Sequence, residues 1–118
     1  MKKYRLTNET IEVDGRTLHR IEAVRDFGDV KAGDKGGYIE SERNLSHNGE
    51  CWVGGEARVF GAAKVSGAAR VSGKSWVVCE AHVFGDAQVF GNARVSGTAC
   101  VDGMAQVYSK AQVFKAKK

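Results

Sequence analysis

Valine stands at positions 53, 59, 65, 71, 77, 83, 89, 95, 101, 107 and 113, eleven times at a constant spacing of six. An internal repeat of this kind restricts the fold more tightly than composition does. Two residues before each valine after the first stands an alanine, from Ala57 to Ala111, with Ser75 as the one exception. Two residues after come Gly55, Gly61, Gly67, Gly73, Gly85, Gly91, Gly97 and Gly103, with Cys79 and Ser109 as substitutes. The unit is V-x-G-x-A-x.

A helix would scatter residues spaced by six around its surface, whereas Ala-x-Val places two apolar side chains on one face of a strand. Each hexad is therefore a short strand and a turn. Glycine supplies the backbone freedom of the turn, and alanine lets neighbouring walls approach across a narrow interior. The hydrophobic content of 42% is largely Val and Ala, with 15 Gly and no Pro, so the core is thin and its stability must come from stacking or from partner subunits.

These hexads resemble those of the hexapeptide-repeat proteins, which wind a left-handed parallel β-helix with three hexads, or about 18 residues, to a coil. The resemblance covers residues 47–114. Glycine falls one position later than in the acyltransferases of that family. The variant seen in VFGDAQVFGNARVSG is similar to the repeat of phage and prophage proteins, as is the preceding segment RIEAVRDFGDVKAGDKGGYIESERNLSHNGECWV. The expected fold is all-β: a single-stranded left-handed parallel β-helix of about three to four coils, preceded by a small β cap. Residues 1–46 form the cap, 47–114 the helix and 115–118 a basic tail. Within the first unit, Thr10–Val13 and Arg16–Val24 flank Asp14-Gly15, a hairpin signal, and a turn-rich stretch runs from Asp26 to Gly37 before Tyr38-Ile39.

At the coil length that the resemblance implies, outward side chains fall on three walls. The first carries Arg58-Phe60, Trp76-Val78, Arg94-Ser96 and Gln112-Phe114; the second Lys64-Ser66, His82-Phe84 and Cys100-Asp102; the third Trp52-Gly54, Arg70-Ser72, Gln88-Phe90 and Gln106-Tyr108. Phe60, Trp76, Val78, Phe84, Phe90, Tyr108 and Phe114 would all face water in a monomer, which points to a subunit interface. The resemblance implies a trimer. Arg58, Trp76 and Arg94 stack on one wall and suit either the support of that contact or the binding of a small anionic, nucleotide-like ligand.

Catalytic signals are sparse. His82 is the candidate base if the chain works as the acyltransferases it resembles do, with His19 and His47 behind it, and Cys100 lies beside His82 on the neighbouring coil. No third, orienting group accompanies that pair. Asp26, Asp29 and Asp34 match no calcium loop, and GDKGG (33–37) lacks phosphate-loop spacing, so both are taken as turn chemistry. Cys51, Cys79 and Cys100 show no CxxC spacing and are expected to be reduced thiols. No metal and no cofactor is implied.

The formal charge is +4, but residues 1–52 carry 9 Lys/Arg against 10 Asp/Glu, residues 53–114 carry 6 against 4, and Lys115, Lys117 and Lys118 supply the rest. Nucleic acid is therefore not expected as a partner. With neither a membrane-length apolar run nor a secretory signal, the expected location is cytoplasmic. The function so read is non-catalytic: a phage-type binding protein that sequesters a host protein or a small anionic signal molecule, in an anti-defence role. A hexapeptide acyltransferase using His82 is the alternative, and a structural assembly module a third.

Overall fold

The computed structural model describes residues 2–115, without the side chains of Phe114 and Lys115; the rest of the basic tail lies outside the described residues. The chain is all-β, with one short 3-10 turn at Glu42–Asn44. An antiparallel hairpin, β1 (Tyr4–Val13) and β2 (Arg16–Ala23), is followed by β3 (Lys35–Ile39). Then come β4 (Trp52–Val53), β5 (Arg58–Val59), β6 (Lys64–Val65), β7 (Arg70–Val71), β8 (Trp76–Val77) and β9 (His82–Val83). The last are β10 (Gln88–Val89), β11 (Arg94–Gly97), β12 (Cys100–Val101), β13 (Gln106–Val107) and β14 (Gln112–Lys115).

The short strands form three parallel walls of a β-solenoid of about four turns, in the register expected from 18 residues per coil. Arg58 pairs with Trp76, Trp76 with Arg94 and Arg94 with Gln112 on the first wall. The second wall is β6, β9 and β12, and the third β4, β7, β10 and β13. Successive coils are joined at every second residue, corners included: Arg58 N–H donates to Ser75 O at 2.9 Å, Phe60 N–H to Val77 O at 3.1 Å and Ala62 N–H to Cys79 O at 2.8 Å. The repeat's valines from Val53 to Val107 and its alanines from Ala57 to Ala99 fill the interior, with Val53 to Val95 at most 1% exposed, while Ala105 and Ala111 at the open end are exposed. Ser75 fits among them because its hydroxyl donates to Ser72 O at 2.6 Å, which satisfies the one buried polar group that the change from alanine introduces.

Most corners are turns closed by the N–H of the alanine, or of Ser75, on the residue after the preceding valine, as Ala81 N–H on Val78 O at 3.3 Å. Glycine takes the first central position with φ near +70°, the type II′ arrangement. A Cβ on Gly73 would lie 2.7 Å from Gly91 N in the coil below, so two reasons converge on glycine there. Cys79 and Ser109 adopt the same backbone at φ 64° and 56°, and the coil passes through both substitutions unbroken.

The first wall continues above the valine repeat. Strand β3 pairs in parallel with β5, β2 pairs with β3, and β1 forms the edge, so the hairpin extends the solenoid sheet. Asp14 and Gly15 both have positive φ, the type I′ turn expected of Asp-Gly. Strand β1 begins at Tyr4, earlier than alternation predicts, because a bulge between Leu6 and Thr10 breaks its period. Ile39 pairs with Val59 and Leu45 bridges to Val65, both fully buried. They add a coil whose residues sit 20 positions ahead of their partners, two more than in the repeat, and this hides them from a search at a period of six.

Gly36 and Gly37 correct the turn reading of GDKGG. They lie inside β3, where a Cβ on Gly36 would run into Val53 O and one on Gly37 would meet Ala57 O at 2.6 Å; their role is close approach to the first coil. Gly33, at φ 94°, is the turn residue of that segment.

Candidate functional site on the first wall

The hairpin changes what the first wall offers. Phe60 does not face water: Val13 and Leu18 of the hairpin and Tyr38 of β3 cover it, leaving it 6% exposed. This corrects its place among the free outward aromatics, and the cause is a contact within the same chain. Trp76 and Val78 pack half-buried at the margin of this satellite cluster. Phe84 and Phe90 are half-buried on the other walls, Tyr108 is 53% exposed, and Phe90 and Tyr108 stack with centroids 5.4 Å apart. The Phe114 side chain lies outside the described residues.

Trp76 is the centre of the exposed part of the wall. Because strands β5, β8 and β11 pair in register, Arg58 and Arg94 flank it from the coils above and below, with Cζ atoms 5.4 and 4.9 Å from its ring. Phe60 meets the ring edge-on at 5.7 Å. Each guanidinium is thereby attracted to the electron-rich face of the indole and held at a defined place. Arg58 Nε is buried and lacks a hydrogen-bond partner among the described residues.

Two clefts meet at Trp76 and Arg94. One, of about 380 Å³, is lined by Glu56, Arg58, Lys74, Trp76, Asn92 and Arg94. Three cations face it against Glu56, whose carboxylate lies 3.9 Å from Arg20 Nη2. The other, of about 330 Å³, is lined by Phe60, Gly61, Trp76, Val78, Cys79, Arg94 and Ser96, with Asp14 and Arg16 from the hairpin. Its other end is fastened by a fork: Arg16 Nη1 donates to both oxygens of Glu40 at 2.9 and 3.0 Å, and Glu40 also accepts Gly61 N–H at 2.9 Å. Burial pushes the Glu40 carboxyl up, but these partners outweigh it and hold the group below the ordinary carboxylate range.

Arg58, Trp76 and Arg94 are thus brought together as the coil length implied by the resemblance predicts. Lys74, Asn92 and Glu56 were missed, although their spacing of 18 puts them in one column beside that triad. They are turn residues, outside the strand positions on which outward faces are counted.

The other candidates are dispersed. His82 is exposed on the second wall between Lys64 and Cys100, its register neighbours. His19 Nδ1 lies 3.1 Å from Thr7 O, and His47 stacks on Tyr4 and contacts Glu42 at 3.0 Å. The aspartates are turn formers: Asp26 accepts Ala32 N–H, Asp34 accepts Lys31 N–H, and Asp29 pairs with Arg70 at 2.7 Å. No helix among the described residues is long and apolar enough to cross a membrane.

The chain is 41% identical, over 61 aligned positions that take in 45% of it, to a protein of Escherichia coli (strain K12) described as "Uncharacterized acetyltransferase YdcK". Those positions make up 19% of that protein, so the chain spans about a fifth of its relative's length. No family model matches.

Proposed function

We propose that this β-solenoid is a non-catalytic binding protein whose first wall takes a small anionic ligand of nucleotide-like character. The observation that supports it is the pair of guanidiniums, Arg58 and Arg94, fixed against one indole and joined by Lys74 in a single cleft. Pre-organised guanidiniums lose little freedom when they grip a phosphate or carboxylate, and charge-assisted hydrogen bonds of this kind are the strong ones. Since both arginines lie over the Trp76 ring, the ligand's charge sits on the guanidiniums, and its less polar part lies in the adjoining cleft of Phe60, Trp76 and Val78. Three copies around an axis would enclose these clefts, and sequestration of a signal molecule, as in a phage-type anti-defence role, is the fullest form of the reading. Native mass spectrometry of the purified protein tests it. An anionic species of a few hundred daltons should be retained and lost in Arg94→Ala, and titrated ADP should bind at least about tenfold more weakly to that variant. Unliganded protein that also ignores ADP and inorganic phosphate would overturn the reading.

The acetyltransferase relative supports a second reading, in which the chain is a hexapeptide acyltransferase unit with His82 as base. His82 is accessible, and an exposed imidazole can take a proton from an acyl acceptor. Acetyl-CoA turnover that disappears in His82→Ala would establish this reading, and absence of turnover over a panel of amine and hydroxyl acceptors would dismiss it.

A further inference from the structure

Lys3 immediately precedes β1 and is fully buried, as is Cys51 immediately before β4. The Lys3 ammonium nitrogen lies 2.7 Å from Cys51 O, 3.2 Å from Gly49 O and 3.3 Å from Cys51 Sγ. No carboxylate is among these contacts, and the Phe27 ring closes over the nitrogen at 4.8 Å. Desolvation lowers the Lys3 pKa and nearby Arg25 and Arg70 add to this, against the opposing pull of Cys51. A larger neutral fraction gives the amine a free lone pair. Sγ in turn lies 3.4 Å from Ser46 O and 3.6 Å from Val65 O. The pair holds a nucleophilic amine and an oxidisable sulfur in contact, sheltered from water, across 48 residues of sequence.

We propose that Lys3 and Cys51 form a covalent modification site, in which Cys51 oxidised by hydrogen peroxide is captured by the Lys3 amine as a sulfenamide. In the first step the Cys51 sulfur attacks one peroxide oxygen: the S–O bond forms, the O–O bond breaks, and the departing hydroxide takes the thiol proton and leaves as water. In the second the Lys3 lone pair attacks Sγ: the N–S bond forms, the S–O bond breaks, and the departing hydroxide takes an amine proton as a second water. One peroxide is reduced and the sulfur loses two electrons. The link fastens the segment before β1 to the first coil, and an added thiol reverses it.

Peroxide treatment of a Cys79→Ser/Cys100→Ser protein, followed by intact mass and peptide mapping, tests the site. The expected product contains a peptide joining Lys3 to Cys51 about 2 Da lighter than its two reduced peptides together, whatever oxygen the exposed Met104 takes up, unfolds at a higher temperature and loses the link with dithiothreitol. Lys3→Leu, which removes the amine without adding a second oxidisable sulfur, should instead carry the oxygen on Cys51 Sγ. Cys51 gaining about 16 or about 32 Da in the Lys3 protein with no link would overturn the proposal. So would a Cys51 left untouched at peroxide levels that convert Cys79 in the unsubstituted chain, a comparison that needs no variant to fold.

Discussion

Corner residues show how a single Cβ is tolerated or refused. At Gly73 the missing Cβ points at the backbone of Gly91 in the next coil, so Gly73→Ala combines left-handed strain of about 1–2 kcal/mol with a contact that only a backbone shift relieves. We expect it to cost at least about 2 kcal/mol in urea unfolding. Cys79 adopts that backbone with a Cβ in place. Cys79→Gly removes the strain and adds freedom to the unfolded chain, effects of opposite sign and about 1 kcal/mol each. Its stability should therefore stay within about 1 kcal/mol of the parent, and a loss above 2 kcal/mol would show that the side chain holds the corner. Sequence position alone tells which residues occupy corners, since each lies two places after a valine. Cys79 shows that corner position alone does not decide whether a side chain is accepted.

At the scale of elements, the hairpin is the part held by long-range contacts. Leu18 is fully buried against Val13, Tyr38 and Phe60, so Leu18→Ala should cost roughly 2–5 kcal/mol and raise amide exchange in β1 and β2 while leaving β9 and β12 protected. Equal loss of protection in all coils would show instead that hairpin and solenoid unfold as one. The hairpin and first coil also depend on carboxylates. Glu42 is held below the ordinary range by His47 and Lys2, and Glu40 by Gly61 N–H and Arg16 against its burial. A carboxyl with a depressed folded pKa contributes stability that is whole above its unfolded pKa and lost as pH falls through the folded one. Acidification below about pH 4 should accordingly loosen residues 4–45 ahead of the lower coils, with exchange rates along the chain as the readout. Asp14-Gly15 announced the hairpin turn, and Arg16 to Val24 its second strand, which ends one residue earlier at Ala23. The bulge in β1 and the shielding of Phe60 carry no local signature, because both depend on residues distant in the chain.

For the whole molecule, covering Phe60 narrows the surface on which copies can meet. The apolar strips still open are Trp76 and Val78 on the first wall, Phe84 on the second and the Phe90–Tyr108 stack on the third. The proposed trimer should give three times the chain mass by light scattering, and Tyr108→Ser with Phe90→Ser should dissociate it; a monomer at micromolar concentration would rule it out. What the sequence by itself determined is the chain of short strand-and-turn hexads. The three walls, the 18-residue register and the column that unites Arg58, Trp76 and Arg94 follow once the resemblance supplies the coil length, and the structure bears them out. All of these rest on a local pattern repeated at a constant interval, where each hexad needs only its neighbours above and below. Only the tertiary structure decided that the sheet runs on through β3 into the hairpin and that Ile39 and Leu45 add a coil out of frame. It alone brought Lys3 against Cys51. Those pairings join segments with no shared period, and burial of apolar surface between distant parts of a chain leaves no mark at a fixed spacing.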